Sequence, residues 1–357
     1  MIDTPKLSIL DYDFEMLQAL LIKNGYPKYK AQTILQWIYK RSVFTFDEMS
    51  DLSKKDRSAL AELFTVISLT QKRVQTSEDG TLKFLFIAED GENIETVMIP
   101  NEDDSRYTIC VSSQVGCALR CSFCATGLLG YKRDLRRDEI ISQVLLVDTY
   151  LKNTYKLDPH DRAIDNIVFM GMGEPFLNFD AVISSIEVLN DQKCFDIGTR
   201  RITVSTSGII DGIQRLAYAR GQVRLALSLH AANHEKRKTI MPIARKENTK
   251  EVLDAIRYYQ EKTGRRITIE YILIEGFNNL EEDVLALKHE LHKIKYNLNV
   301  IPLNPVSSLP YDAPSQNCIN DFTARLKRHS IPHVLRISKG RDIDAACGQL
   351  ALKNQQV

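Results

Sequence analysis

The 357-residue sequence has no apolar run that approaches the roughly 20 residues of a membrane-spanning helix. Residues 1–6 also lack the basic start and the apolar stretch of a signal peptide. We therefore expect a cytoplasmic protein that does not contact a membrane. The formal net charge is only +1, which excludes a strongly basic surface. A nucleic-acid partner would have to be bound by a local patch of cations.

A disulfide framework is also absent. The seven cysteines are odd in number, and four of them fall between positions 110 and 124 instead of being spread along a small secreted domain. In a reducing compartment, such a group indicates metal or redox chemistry. Cys194 and Cys318 have no comparable context, and we interpret them as small buried hydrophobes.

The first 65 residues have the pattern of a helical accessory domain. Apolar residues recur at helical spacing in segments 11–24, 29–40 and 53–64, which predicts three helices. The second of these segments interleaves basic and aromatic residues. That composition fits ordinary helix packing with a solvated face, and it also fits an RNA-contacting module.

The hydrophobic period changes to two from residue 66. Two Asp-Gly turns separate β-rich runs, so residues 66–102 are predicted to form a β-hairpin or meander that links two domains. Strand-like and helical runs then alternate through residues 103–342. The strand-like runs are 107–112, 166–170, 201–206, 224–229, 266–273 and 298–303, and helices are predicted at 138–151, 250–261 and 281–294.

This alternation predicts an α/β fold with a parallel sheet, open or curved into a partial (β/α)6 barrel. Residues 343–357 would follow it as a C-terminal segment. In such sheets, ligands and catalytic groups lie at the C-terminal ends of the strands. Functional motifs are therefore expected to cluster there.

A C-x3-C-x2-C motif follows the first strand of the predicted barrel and is formed by Cys117, Cys121 and Cys124. Three thiolates can ligate three irons of a [4Fe–4S] cluster and leave the fourth iron open to a ligand. A structural zinc site would ordinarily need a fourth Cys or His nearby, and none lies within the usual spacing. The motif resembles the signature of the radical S-adenosylmethionine superfamily. That resemblance implies that the open iron chelates the amino acid end of the cofactor and that a 5′-deoxyadenosyl radical is generated.

The ends of the other predicted strands also carry polar residues. Segment 171–175 (Gly-Met-Gly-Glu-Pro) allows close backbone approach, and Glu174 is suited to accept hydrogen bonds from a ligand ammonium group. Each such residue alone is more often a cap or a turn. Their convergence with the cysteine motif favours a cofactor site, and the remaining members are Ser205, Ser207, Ser228, His230 and Asn304.

Four segments sharpen the resemblance: 111–117 (Val-Ser-Ser-Gln-Val-Gly-Cys), 170–175, 228–230 (Ser-Leu-His) and 343–350 (Ile-Asp-Ala-Ala-Cys-Gly-Gln-Leu). Together they are similar, nearly end to end, to the RlmN/Cfr family of radical methyltransferases. The RlmN branch methylates C2 of adenosine 2503 in 23S ribosomal RNA and, in some members, of adenosine 37 in tRNA. The resemblance implies the same substrates here, a flavodoxin-type electron donor and a monomeric enzyme.

The resemblance also implies a role for each matching residue. Cys117, Cys121 and Cys124 would ligate one [4Fe–4S] cluster per chain. The S-adenosylmethionine contacts would be Gly173, Glu174, Ser205, Ser228, Leu229, His230 and Asn304.

The same resemblance assigns two further cysteines and one acid. Cys347 would take a methyl group from one S-adenosylmethionine, and a second molecule would supply the radical that abstracts hydrogen from that methyl group. The carbon radical would add to the adenine ring, so that enzyme and RNA become covalently joined. Cys110 would then form a disulfide with Cys347 and release the product, while Glu95 would accept the ring proton.

Two alternatives remain at this stage. The C8-methylating branch shares the five catalytic cysteines, although it carries Cys where this chain has Val115 and Ala where it has Pro175. A non-catalytic RNA-binding protein with a structural metal is the distant alternative. Two basic groups are candidate phosphate contacts for RNA: Lys132, Arg133, Arg136 and Arg137 after the cysteine loop, and Arg200 with Arg201 before the third strand.

Overall fold

The computed structural model describes residues 6–101, 107–158, 160–219 and 223–350. The N-terminal module contains the three predicted helices, α1 (Phe14–Lys23), α2 (Tyr29–Arg41) and α3 (Lys54–Leu63). Two short strands, β1 (Leu7–Ser8) and β2 (Phe64–Thr65), pair in parallel and bring the two ends of the module together. Side-chain caps fix the helix starts, because Asp13 and Ser53 accept hydrogen bonds from backbone N–H groups in the first turns of α1 and α3.

The predicted meander is present as three antiparallel strands, β3 (Leu69–Thr76), β4 (Leu82–Ala88) and β5 (Asn93–Pro100). Asp79 and Asp90 shape its two turns by accepting from the backbone N–H two residues further on. The meander does not stand apart from the main domain as a linker. Strand β5 pairs with β6 (Tyr107–Cys110), so the meander extends the main sheet.

The main domain begins with β6 and a two-stranded ribbon formed by β7 (Gln114–Gly116) and β8 (Tyr131–Asp134). Its remaining strands, in chain order, are β9 (Ile164–Phe169), β10 (Ile202–Thr206), β11 (Arg224–Ser228), β12 (Ile267–Leu273), β13 (Tyr296–Pro302) and β14 (His333–Leu335). Its helices are α4 (Ala125–Leu129), α5 (Arg137–Tyr155), α6 (Phe179–Asn190), α7 (Ile210–Leu216), α8 (His234–Ile240), α9 (Thr249–Thr263), α10 (Glu281–Glu290) and α11 (Gln316–Arg328).

The ten strands of the main sheet lie in the order β14-β13-β12-β11-β10-β9-β6-β5-β4-β3. The part from β6 to β14 is parallel, which confirms the α/β class and all six predicted barrel strands. The seventh parallel strand, β14, was not predicted. It is only three residues long and Val334 at its centre is 60% exposed, so it lacks the apolar run that identifies a buried strand.

The core lies between the sheet and its helices, because buried residues of α5, α6, α9 and α11 pack against the outer face of the strands. The inner face carries the polar strand ends discussed below. Within the described ranges, no helix combines the length and the apolar character that a membrane crossing requires.

The C-terminal segment, defined from here on as residues 336–350, crosses the inner side of the sheet after β14. Residues 351–357 of the predicted segment 343–357 lie outside the described ranges. The C-terminal segment is first attached to the meander, where Gly340 donates its N–H to Asp79 and Lys339 donates to the carbonyl of Pro100, at 2.7 and 2.8 Å. It is then attached next to the cysteine loop, where the Ala125 N–H donates to the carbonyl of Gly348 at 2.7 Å. These contacts carry position 347 to the centre of the sheet.

Candidate active site

Two adjoining cavities lie on the inner side of the sheet. The Cys117 cavity, of about 160 Å³, is lined by the three cysteines of the C-x3-C-x2-C motif and by residues at the C-terminal ends of the parallel strands. The Cys110 cavity, of about 310 Å³, is lined by Cys110 and residues of β5 and the C-terminal segment. Their common wall contains Cys124, Met170, Gly171, Arg336, Cys347 and Gly348.

The cysteine loop is closed by a tight backbone contact. Gly116 has a φ of +75°, and a Cβ atom there would lie 1.8 Å from the carbonyl oxygen of Gly130. Only glycine fits this position. The contact allows the Cys117 N–H to donate to the same carbonyl at 2.9 Å, which closes the loop that carries Cys121 and Cys124.

The three thiols are suited to an iron–sulfur cluster. Burial raises the pKa of Cys117 to about 12 and that of Cys121 well above its usual value, so deprotonation requires a bound cationic centre. Among the described residues, no three or more His, Cys, Asp or Glu side chains are grouped as ligands of a single metal ion. A four-iron cluster does not need such a group, because each of its thiolates binds a different iron.

Gly173 and Glu174, which the sequence predicts to contact the cofactor, follow β9 and line the Cys117 cavity. Gly173 has a φ of +101°, and a Cβ atom there would lie 2.6 Å from the Gln114 side chain, so the backbone approaches the cysteine loop closely. The carboxylate of Glu174 already accepts from the backbone N–H groups of Ser207 at 2.8 Å and Phe176 at 3.2 Å. Glu174 therefore also fixes the strand ends relative to each other.

Ser205, Ser228 and His230 line the same cavity. The two serine hydroxyls lie 3.4 Å apart. His230 accepts from the Ile272 N–H through Nδ1 at 3.1 Å, and burial lowers its pKa to about 3. The ring is therefore neutral at pH 7 and carries its proton on Nε2, which makes it a hydrogen-bond donor.

Two of the predicted cofactor residues are not part of this lining. The side chain of Leu229 lies in the main core, and both of its backbone groups are bonded, the N–H to the carbonyl of Glu270 and the carbonyl to Arg237. Asn304 donates to Ser338 at 2.9 Å and to the carbonyl of Cys347 at 3.2 Å. Asn304 thus holds the C-terminal segment through its amide nitrogen, while its Oδ1 is buried with no hydrogen-bond partner among the described residues.

Cys110 and Cys347 are both free thiols that line the Cys110 cavity. Cys110 is buried, and burial raises its pKa to about 12. Cys347 is exposed to the cavities and borders both of them. The protein atoms around the cavity walls desolvate the Cys347 thiol and raise its pKa, whereas the nearby Arg336 lowers it. The thiol of Cys347 is therefore accessible from the cysteine loop on one side and from Cys110 on the other.

Glu95 lies on β5 beside these cavities but does not line them. Its carboxylate is 3.4 Å from the ammonium group of Lys83, and both side chains are buried. Lys83 also donates to the carbonyl of Asp344 in the C-terminal segment. Val97 and Ile99, on the same face of β5, do line the Cys110 cavity, so Glu95 points toward the space under the C-terminal segment.

Two charged residues of this region were missed from the sequence. Arg336 lines both cavities, and Glu270 lines the Cys117 cavity from the middle of β12. Glu270 is an acid inside the otherwise apolar run Ile-Thr-Ile-Glu-Tyr-Ile-Leu, which could have identified it. Arg336 had no such signal, because the short strand before it has no apolar pattern.

The predicted RNA patch after the cysteine loop does not have the expected excess of positive charge. Three of its four cations form ion pairs with neighbouring acids: Lys132 with Glu92, Arg133 with Asp90 and Glu139, and Arg136 with Asp138 and Glu89. The Nε and Nη2 atoms of the fourth, Arg137, are buried and have no hydrogen-bond partner among the described residues. Arg201 similarly lies 3.0 Å from Asp165. Phosphate binding depends on cations whose charge is not already balanced, so this patch is a weak candidate.

Comparisons with known proteins agree with this geometry. Residues 111–287 match the radical SAM superfamily model, and residues 7–66 match the model of the ribosomal RNA large subunit methyltransferase N-terminal domain. The chain is 43% identical to the probable dual-specificity RNA methyltransferases RlmN of Staphylococcus aureus strains JH9 and Newman, over 99% of this chain and 94% of theirs.

The chain belongs to the RlmN family of radical S-adenosylmethionine methyltransferases. A crystal structure of a radical SAM methyltransferase from Sphaerobacter thermophilus agrees with its fold, with a TM-score of 0.91 and 40% identity over 96% of this chain and 98% of that one. The predicted membership and fold are thereby confirmed. As a radical SAM protein, the chain requires a [4Fe–4S] cluster and S-adenosylmethionine. The three thiols of the Cys117 cavity are suited to hold the cluster.

Proposed function

We propose that this enzyme methylates C2 of adenosine 2503 in 23S ribosomal RNA and of adenosine 37 in tRNA. The observation that carries the proposal is the position of Cys347, which borders both cavities. A methyl group on its sulfur would be open to hydrogen abstraction from the Cys117 cavity and to an adenine ring in the Cys110 cavity. C2 of adenine is electron-poor and is not nucleophilic, so it cannot take a methyl group directly from a sulfonium. A methyl group that is carried on Cys347 and converted to a carbon radical avoids this obstacle.

In this proposal, Cys117, Cys121 and Cys124 ligate one cluster per chain, and two molecules of S-adenosylmethionine are consumed per turnover. When bound, these groups supply the methyl group and the 5′-deoxyadenosyl radical. The strand ends hold the cofactor, with Gly173, Glu174, Ser205, Ser228 and His230 in contact with it. Leu229 and Asn304 act indirectly, by fixing the loop after β11 and the backbone of Cys347.

Cys110 releases the product. Its sulfur forms a bond to the sulfur of Cys347, the bond between Cys347 and the transferred carbon breaks, and the electron pair of that bond stays with the carbon, which is then protonated. Both thiols line the same cavity, which supports this pairing. Before this release, the radical adduct must lose one proton and one electron. Glu95 takes the proton from C2, and the electron would return to the oxidised cluster. Lys83 balances the charge of the Glu95 carboxylate.

The nucleotide must leave its base stack to reach the Cys110 cavity, which favours a loop or single-stranded RNA. The volume of about 310 Å³ lies within the range of small-molecule sites. For the partners, we propose a flavodoxin-type electron donor and a monomeric, cytoplasmic enzyme. Light scattering coupled to size-exclusion chromatography tests the oligomeric state.

The deciding experiment is nucleoside analysis of ribosomal RNA and tRNA from cells with and without the gene. We expect 2-methyladenosine to disappear on deletion, to return with the wild-type gene, and not to return with the Cys347→Ala variant. The appearance of 8-methyladenosine instead would replace C2 by C8 as the target. A purified protein with one zinc and no iron would overturn the radical mechanism.

A further inference from the structure

Glu270 is an acidic residue at a position where the sheet normally carries apolar side chains. It lies in the middle of β12, faces the Cys117 cavity and is only 4% exposed. Burying a carboxylate without full hydrogen bonding is unfavourable. A structural role would be expected to satisfy both of its oxygens.

The protein satisfies only one of them. Oε1 accepts from the amide of Asn299 at 3.0 Å, and the guanidinium of Arg336 lies 3.9 Å from the same oxygen. Oε2 is buried and has no hydrogen-bond partner among the described residues. Burial also raises the pKa of Glu270. One acceptor atom beside the cavity is therefore available for a donor that the polypeptide does not supply.

The position of Glu270 indicates which part of the cofactor supplies that donor. Glu270 is paired in register with Ser228, whose hydroxyl lies 3.4 Å from that of Ser205. These three side chains lie within β10, β11 and β12. Glu174 and the cysteine loop lie beyond the C-terminal ends of their strands, and Phe123 of that loop clusters with Ile272, two residues after Glu270. The amino acid end of the cofactor is expected at the cluster, so its nucleoside end is directed toward the three side chains.

We propose that Glu270 accepts a hydrogen bond from a ribose hydroxyl of S-adenosylmethionine, next to Ser205 and Ser228. A ribose carries two neighbouring hydroxyl donors, and a carboxylate is the acceptor that other nucleotide sites use for them. Asn299 and Arg336 hold the carboxylate in place. The proposal depends on the cofactor of the RlmN family and not on the RNA target proposed above.

The test measures binding of S-adenosylhomocysteine, which cannot methylate Cys347, to the cluster-loaded protein under anaerobic conditions. Its 2′-deoxy and 3′-deoxy analogues are measured in parallel by isothermal titration calorimetry. The variants are Glu270→Gln and a matched control, Glu261→Gln, in which the glutamate is exposed on α9. Iron content and circular dichroism establish that each variant is folded and loaded.

For the wild type and the control, we expect one deoxy analogue to bind about tenfold more weakly than the parent, as for loss of a hydrogen bond to a charged group. The Glu270→Gln variant should bind S-adenosylhomocysteine about tenfold more weakly than the wild type does. It should bind S-adenosylhomocysteine and the affected deoxy analogue equally well. Glu270→Asp, which retracts the carboxylate, should also lose this distinction and replaces Glu270→Gln if that variant fails to fold.

Two results would overturn the proposal: a wild type that binds all three ligands equally, or a Glu270 variant that retains the full wild-type preference. Because no RNA is present, neither result depends on which base is methylated. A failure of the C2 assignment in the nucleoside analysis would leave this binding experiment unaffected.

Discussion

The backbone N–H of Ala125 donates a 2.7 Å hydrogen bond to the carbonyl of Gly348. Ala125 directly follows Cys124, the last cysteine of the cluster motif, and Gly348 directly follows Cys347. The contact therefore joins the loop that would hold the cluster to the segment that would carry the methyl group. Asn304 adds a second constraint through the carbonyl of Cys347. The backbone of Cys347 is thus held between the three motif cysteines on one side and Cys110 on the other.

Replacement of Cys110 and replacement of Cys347 should block the reaction at different steps. We expect Cys110→Ala to accumulate a covalent enzyme–RNA adduct, because no thiol remains to displace the transferred carbon from Cys347. Cys347→Ala should form no adduct and no product. Denaturing gel electrophoresis with labelled RNA distinguishes these outcomes. Cys318→Ala is the control, because Cys318 is a free cysteine on α11, outside both cavities. Adduct formation by the Cys347 variant would contradict the assignment.

Gly116→Ala should prevent cluster binding. The added methyl group would overlap the carbonyl oxygen of Gly130, so the cysteine loop cannot close. We expect iron per chain after anaerobic reconstitution to fall by more than half. Gly264→Ala is a matched control, because Gly264 has a similar φ of +69° at the end of α9 but no atom within 4 Å of the added position. Equal iron contents in the two variants would show that backbone conformation, not this contact, governs loading.

The buried pair of Lys83 and Glu95 should make a large contribution to stability. Lys83→Met removes the ammonium group 3.4 Å from a buried carboxylate, which we expect to lower the free energy of unfolding by about 3 kcal/mol. Adding Glu95→Gln should restore much of the loss. Urea denaturation measures both effects. In the solvent-exposed pair of Lys238 and Glu235, Lys238→Met should have a much smaller effect, because water screens the interaction. Equal losses would show that burial is not the cause.

Attachment of the C-terminal segment to the meander should depend on pH. Burial opposes ionisation of Asp79, but hydrogen bonds from Thr81 and Gly340 outweigh it and lower its pKa to about 2, from 3.8. Its stabilising contribution is therefore complete above pH 4 and is lost as the pH falls toward 2.

Asp79→Asn should consequently lower the urea midpoint at pH 7 and have a smaller effect at pH 2.5. Asp312→Asn, at an exposed position, provides the control. A stability difference between wild type and Asp79→Asn that does not change with pH would show that the ionised carboxylate is not what holds Gly340.

Local sequence patterns were sufficient for the N-terminal helices, the meander, six parallel strands and the cysteine motif, but not for β14. The six barrel strands are apolar runs between helical segments, and their strand ends carry Glu174, Ser205, Ser228 and His230, so the shared edge of a parallel sheet brings these residues together. The family resemblance added roles for Cys110, Cys347 and Glu95. None of these inferences required contacts between distant segments.

Other features depend on contacts that no local pattern encodes. In the sequence, the positive charges of Lys132, Arg133 and Arg136 indicate an RNA-binding patch. In the folded protein, acidic residues of the meander and of α5 form ion pairs with these cations. Arg336 becomes part of both cavities only because the C-terminal segment crosses the inner side of the sheet.

The cysteines show the same division. The sequence by itself determined which cysteines form a tight loop, because spacing along the chain limits how far apart they can be. Only the tertiary structure decided that Cys347 lies between that loop and Cys110. Its position results from hydrogen bonds to Asn304 and between Gly348 and Ala125, whose partners are distant in the chain and whose formation requires the sheet to be assembled first.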